Sequence, residues 1–404
     1  LNILFRHSGS ANQSVEASTA RYSPALAVLS LTVLAGLYSL PFVKVAPNRL
    51  LSGEPVFFFP ALHGPMWAFA MVLTALAVAA FLKPGAMVNW FAVLAAGLSI
   101  PGLLYLAASY ARQVALTESP IARTSLGGAV WLAGVLLGLV LADALNRLKA
   151  GRGLRFLALM LVLVPVLALL ASGWCDELSI MKEYANRSDI FWPAVARHLQ
   201  IVALALSFTL GLGLPLGWAA FRFERVGRAL FPLLNIIQTI PSIALFGLLM
   251  APLALLAASW PALGKAGISG VGLAPGVIAL ILYSLLPVVR GTLAGLAQVP
   301  TAVRQAADGL GMPAGQRFWQ LEVPLALPVV LGGVRTGAIQ AVGLAAVTAL
   351  IGAGGLGAIM FEGLFSSAQD LVLLGVLPIV LMGALADGLF KVLISASSPK
   401  GMQV

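Results

Sequence analysis

The residues best suited to chemistry lie in one polar interruption of an apolar chain, residues 300–328, PTAVRQAADGLGMPAGQRFWQLEVPLALP. Arg304, Gln305, Asp308 and Arg317 offer polar contacts of both signs, while Ala306, Ala307 and Gly311 lack bulk and let a second backbone come close. That combination suits docking against a partner, and no catalytic residue is assigned. The spacing predicts a hairpin over 300–323. Pro300 and Thr301 open a short helix, which Gly309 and Gly311 stop after Ala306 and Ala307. Pro313 opens a second helix over 314–321, which Pro324 is expected to close.

Two further groups stand out. In NIIQTIPS, Asn235, Gln238, Thr239 and Ser242 put polar side chains around Pro241, whose ring bends a helix and frees a carbonyl one turn earlier. Asn235, Gln238 and Ser242 stand at i, i+3 and i+7 and are expected on one helix face. They form either a pathway or gate, or plain hydrogen bonds between helices. In IGAGGLG, Gly352, Gly354, Gly355 and Gly357 satisfy G-x-G-x-x-G, but an apolar helical run precedes them where a dinucleotide site needs a strand. They are expected to form an irregular, re-entrant turn. No G-x-x-x-x-G-K-[ST] occurs, so an ATP-driven process needs an ATPase on another chain.

The elements that position these groups are membrane spans. Of 404 residues 60% are hydrophobic and 9% charged, against roughly a quarter charged in soluble proteins. Mean hydropathy is +1.00. The formal charge of +10 is assigned to topogenic Lys and Arg and not to nucleic-acid binding. A single cysteine, Cys175, excludes an internal disulfide, and His7, His63 and His198 lack ligand spacing, so no metal is expected. Apolar runs of about 20 residues predict ten spans, at 25–43, 66–82, 88–108, 127–145, 154–172, 195–221, 230–249, 273–289, 325–350 and 371–394. The fold class is therefore all-α and polytopic. The segment 251–272, broken by Pro252 and Pro261, is open to dipping back into the membrane. Basic residues favour the loops on the N-terminal side by roughly two to one, which puts both termini and the hairpin in the cytoplasm. Arg290 is counted in an inner loop. Arg335 either snorkels or is a deep functional charge. Asp143 and Asp387 are expected to cap or pair locally, and Glu362 and Asp370 to face water or a cationic solute. The tryptophans fall near span ends, as interface anchors do.

Boundaries follow: a tail at 1–24, an N-terminal membrane extension at 25–172, an outer loop at 173–194, and a second membrane region at 195–404. The outer loop either touches a docking partner or is simply solvated.

The hairpin resembles the cytoplasmic loop of bacterial ABC-importer permeases, whose pattern is EAA, three residues, Gly, nine residues, Ile, one residue, Leu-Pro. Here it reads Gln305-Ala306-Ala307, Gly311, then Leu321-Glu322-Val323-Pro324, with Gln for Glu, Leu for Ile and Val for Leu. The first change removes a charge that would face the ATPase. Residues 235–249 and 351–357 are similar to the glycine betaine, choline and carnitine branch of the type I importers. FVKVAPNRLLSGE (42–54), ARTSLG (122–127) and LSIMKEYANR (178–187) resemble the long Yeh-type glycine betaine permeases, which add N-terminal spans to a five-helix core.

The resemblance implies a non-enzymatic permease subunit in the bacterial inner membrane, taking up osmoprotectants by alternating access. It also implies a second permease subunit, a dimer of ATPase subunits carrying ATP and Mg, and a periplasmic solute-binding protein. An importer for another solute, such as an amino acid, is the alternative within that class. An ion-coupled carrier would want acidic or histidine residues deep inside spans, and the sequence reading places none there.

Overall fold

The computed structural model describes residues 22–49, 51, 53–61, 67–117, 119–265 and 267–398. Most of the expected tail, with Arg6, His7 and Arg21, lies outside them, as do Met66, His63 and Lys400. The chain forms two compact units, residues 1–185 and 186–404.

The first unit holds helices α1 (Pro24–Ser39), α2 (Phe58–Ala61), α3 (Trp67–Ala79), α4 (Ala86–Thr117), α5 (Gly128–Arg147), α6 (Arg152–Ala171) and α7 (Ser179–Ala185). Small residues on α4 (Ala92, Ala95, Ala96, Ala107, Ala108) and on α5 (Ala129, Ala133) are buried, so neighbouring backbones approach closely. Such contacts, and not a hydrophobic driving force, hold helices together in lipid. Three strands, β1 (Pro41–Ala46), β2 (Glu54–Phe57) and β3 (Arg123–Leu126), were not expected. β1 is central and antiparallel to both others, with Val45 opposite Glu54 and Thr124. The first expected span therefore ends at Ser39 rather than 43, because Pro41 cannot extend a helix and the residue before it is steered into extended backbone.

The same three stretches that resemble the Yeh-type permeases meet here. Glu183 on α7 is 2% exposed, with Oε1 3.1 Å from Arg49 Nε and 3.7 Å from Arg123 Nη1. Lys182 donates to the carbonyls of Pro120 and Ala122. Trp174 donates to Ser109, stacks on Tyr105 and carries the Arg112 guanidinium over its ring.

The second unit holds α8 (Ser188–Arg222), α9 (Glu224–Thr239), α10 (Ser242–Ser259), α11 (Pro261–Lys265), α12 (Leu273–Ala297), α13 (Thr301–Gly309), α14 (Ala314–Arg317), α15 (Val323–Ala345), α16 (Leu356–Phe365) and α17 (Gln369–Ser397). α12 lies at its centre, packed on α8 and α15, and α17 packs on α15 and α16. At the crossing of α12 and α15 a Cβ on Gly291 would stand 2.7 Å from the Gly333 Cα, and one on Gly333 2.5 Å from the Pro287 carbonyl oxygen. Only glycine allows that approach.

Among the described residues eight helices are long and apolar enough to cross a membrane, and α1 and α3 are shorter apolar helices of 16 and 13 residues. Several expected bounds move. α8 begins at Ser188, so much of the expected loop 173–194 is helical. The run 230–249 is two helices, because the chain breaks at Ile240 and Pro241. α10 passes through Pro252 to Ser259, so 251–259 is no dip but the end of a helix.

Candidate coupling hairpin and pathway residues

The hairpin's first arm is built as its sequence suggests. Pro300 precedes α13, and its carbonyl accepts from the Val303 and Arg304 N–H groups. At the far end the Gly311 N–H donates to Asp308 O and the Met312 N–H to Ala307 O. Those two bonds require a left-handed residue past the helix, and Gly311 has φ +73°.

The second arm differs. α14 is four residues long and runs through a wide, five-residue turn, Phe318–Glu322, directly into α15. Pro324 does not close it; it sits in the first turn of α15. A proline lacks an N–H and crowds the carbonyl four residues back. The turn relieves this by opening to an i→i+5 pattern, in which the Val323 N–H reaches Phe318 O.

Four charges close the hairpin. Glu322 is 6% exposed, and its Oε1 lies 3.3 Å from Arg304 Nε and 3.2 Å from Arg317 Nε. Arg317 also binds Asp308. Arg304 donates to Leu296 O and lies over the Phe221 ring. So the two arginines turn inward, and the residue that gathers them, Glu322, escaped notice in the sequence. Ala307 is also turned inward, at 2% exposed, which removes it from the expected small face. Gln305, Ala306 and Gly311 stay exposed. Leu310 projects at 83% exposed and Trp319 at 69%, apolar side chains that the spacing did not single out.

The NIIQTIPS residues surround a real break. Asn235, Gln238 and Thr239 lie on α9, whereas Ser242 starts α10 beyond Pro241 and does not share their helix face. Gln238 donates to Tyr283 O, and the Tyr283 hydroxyl donates to Ile240 O at the break. Gln340 on α15 donates to Gln238 Oε1 at 3.4 Å, and Arg290 donates to Asn235 Oδ1 at 2.7 Å. Thr239 bonds only within its own helix, to Ile236 O. Arg290 thus belongs to α12 and not to a loop. The polar residues on α12 and α15 that complete this group were the available signal, since buried polar groups in membrane helices find partners.

The glycine turn is pinned from α8. Gly352, Gly354 and Gly355 all have φ near +80°. Arg197 donates to Ala353 O at 2.9 Å, and the His198 Nε2 stands 3.1 Å from Val342 O. A Cβ on Gly357 would fall 1.9 Å from Ala346 O, so that position admits nothing larger. α16, ten residues, is too short to span a bilayer core of about 30 Å. Glu362 is half exposed, and Arg187 Nη2 binds it at 2.6 Å.

Arg335 does not merely snorkel. It donates to Asp387 on α17 at 2.6 Å, and Lys391 holds the other carboxylate oxygen at 2.7 Å. Asp387 pairs as expected, with Lys391 one turn along α17 and with Arg335, and His198 in α8 is fully buried.

Residues 19–181 match the family model described as the ABC transporter permease YehY, N-terminal domain. Residues 209–397 match the binding-protein-dependent transport system inner membrane component. The chain is 37% identical to the osmoprotectant import permease protein OsmW of Salmonella typhimurium over 207 residues, 51% of this chain and 91% of OsmW. It is 34% identical to OsmY of the same organism over 59% of this chain and 90% of OsmY. It is 32% identical to the glycine betaine/carnitine/choline transport system permease protein OpuCB of Bacillus subtilis, over 51% of this chain and 88% of OpuCB. The solved MetNI methionine ABC transporter, inward facing, is similar at 21% identity over 50% of this chain and 94% of its own, with a TM-score of 0.42.

Proposed function

The chain belongs to the inner membrane components of binding-protein-dependent transport systems, and we propose that it forms the path by which an ATP-driven importer brings osmoprotectants, glycine betaine or related quaternary ammonium compounds, into the cytoplasm. The substrate class rests on relatives named for osmoprotectants, glycine betaine, carnitine and choline. The single observation that carries the coupling role is the closed hairpin, which turns Leu310, Ala306 and Gln305 outward on a rigid foot.

In this reading the exposed tip, Gln305, Ala306 and Leu310, enters a groove on an ATPase subunit that carries ATP and Mg. Closure of two such subunits displaces the hairpin, and the helices joined to it rock between inward and outward states. The break at Ile240–Pro241, held by Gln238, Tyr283 and Gln340, is the gate, where weak polar contacts let a solute pass. A periplasmic binding protein delivers the solute and supplies most of the selectivity, since aromatic faces hold a quaternary ammonium by cation–π attraction. A second permease subunit completes the pathway. Both termini and the hairpin are cytoplasmic.

Co-purification with the cognate ATPase tests this. Leu310→Glu and Gly311→Trp are expected to abolish association while the permease still folds; association at the wild-type level would sink the docking role. A second reading, an ion-coupled carrier, would need a carboxylate free to titrate inside a span, and Asp387 is instead held by both Arg335 and Lys391. Uptake that persists in vesicles lacking the ATPase would select it.

A further inference from the structure

We propose that Glu322 is the positioning residue that makes the hairpin and the foot of α15 a single lever, so that a push on α13 arrives in the membrane helices instead of being lost in the turn. This rests on the coupling role proposed above and concerns a residue outside the docking tip.

Glu322 touches everything the lever has to join. Its carboxylate lies against Arg304 of the first arm and Arg317 of the second. Arg317 carries the link back to Asp308. Arg304 extends it to the last turn of α12 through Leu296 O, and to the end of α8 through the Phe221 ring. The four charges, Arg304, Arg317, Asp308 and Glu322, sum to zero. The Glu322 side chain is 8% exposed and those of Arg304 and Arg317 are 22% and 27% exposed, which leaves little water to screen the pair. Without the carboxylate two guanidinium groups would face one another across the gap between the arms.

The backbone shows why a clamp is needed at this place. Two compliant points flank the moving part: the left-handed glycine at 311 and the wide turn at Phe318–Glu322. A displacement of α13 would be absorbed at either one unless the arms are tied across them. Glu322 ends the wide turn and ties it from within. Gln305, where the resembling loops carry an acid, is exposed and takes no part in the clamp.

The test uses the full chain with its cognate ATPase and binding protein in proteoliposomes, comparing wild type, Glu322→Gln and Glu322→Asp. The expected result for Glu322→Gln is ATPase co-purification and ATP hydrolysis within about twofold of wild type and glycine betaine taken up per ATP down about tenfold. Glu322→Asp is expected to recover most of that ratio. A purely structural role would lower hydrolysis and uptake together, with the ratio unchanged, and that outcome overturns the proposal. A second measurement does not involve the ATPase. Spin labels at Gln305→Cys and Gln316→Cys in a Cys175→Ser chain are expected to give a narrow distance distribution that broadens with Glu322→Gln. An unaltered distribution overturns the clamp. If wild type fails to bind the ATPase, the coupling role falls, and the spin-label distances still decide whether the lever is rigid.

Discussion

The two units bury charge alike, one glutamate between two arginines in each, but differ in where their backbone is broken. In the first, Glu183 sits between Arg49 and Arg123 and fixes α7 against the small sheet, and α4 and α6 run unbroken through Pro101 and Pro165. In the second, backbone irregularities fall at the sites that carry polar contacts: the break at Ile240–Pro241, the wide turn at Phe318–Glu322 and the glycine turn after Val347–Ile351. Irregular backbone at membrane depth is tolerated where protein or a water-filled path satisfies it. Here the Tyr283 hydroxyl donates to Ile240 O at the break, and Arg197 donates to Ala353 O in the glycine turn. In the mechanism proposed above, the first unit holds its shape and the second changes it.

That contrast can be broken by mutation. Glu183→Ala leaves Arg123 nearly buried without its carboxylate and is expected to cost about 3 kcal/mol of stability. Uptake per folded molecule should be unchanged, as read from melting in detergent alongside transport. A loss of transport without a loss of melting temperature would erase the distinction between the units. Gly357→Ala must push the Ala346 carbonyl aside, at a cost of about 2 kcal/mol, and should slow uptake as well as lower the melting temperature. Tyr283→Phe removes one hydrogen bond at the helix break, about 1 kcal/mol. It is expected to alter uptake out of proportion to that small cost.

The smallest effect concerns Cys175. Burial, with Asp176 adding to it, pushes the thiol up to about 11, so it stays protonated at neutral pH. A maleimide should label it far more slowly than a free thiol at pH 8 and faster as pH rises toward that value. Rapid labelling at pH 7 would show that the first unit opens.

The hairpin was legible in the sequence because its spacing is local: a proline, two alanines and a glycine within twelve residues specify one arm. The clamp inside it was not, since nothing in the order Arg304, Arg317, Glu322 says that a wide turn will bring them together. Pro324 misled for a physical reason. A proline marks both a helix end and a first turn, and only the relief offered by the wide turn decides between them. The sheet was hidden because β1 and β3 are short and some eighty residues apart, so neither has a partner within its own stretch. The polar break was seen, but nothing in the order of the chain says that Tyr283, 43 residues beyond Ile240, and Gln340, 102 residues beyond Gln238, will meet it.

In the proposed mechanism Leu310 stands on the cytoplasmic side, at a surface an ATPase covers. The direct measurement places the chain's only cysteine there, Leu310→Cys with Cys175→Ser, and labels it with a membrane-impermeant maleimide. The account predicts labelling in inside-out vesicles stripped of ATPase, protection when the ATPase is restored, and none in right-side-out vesicles. Labelling from the right-side-out face would contradict it.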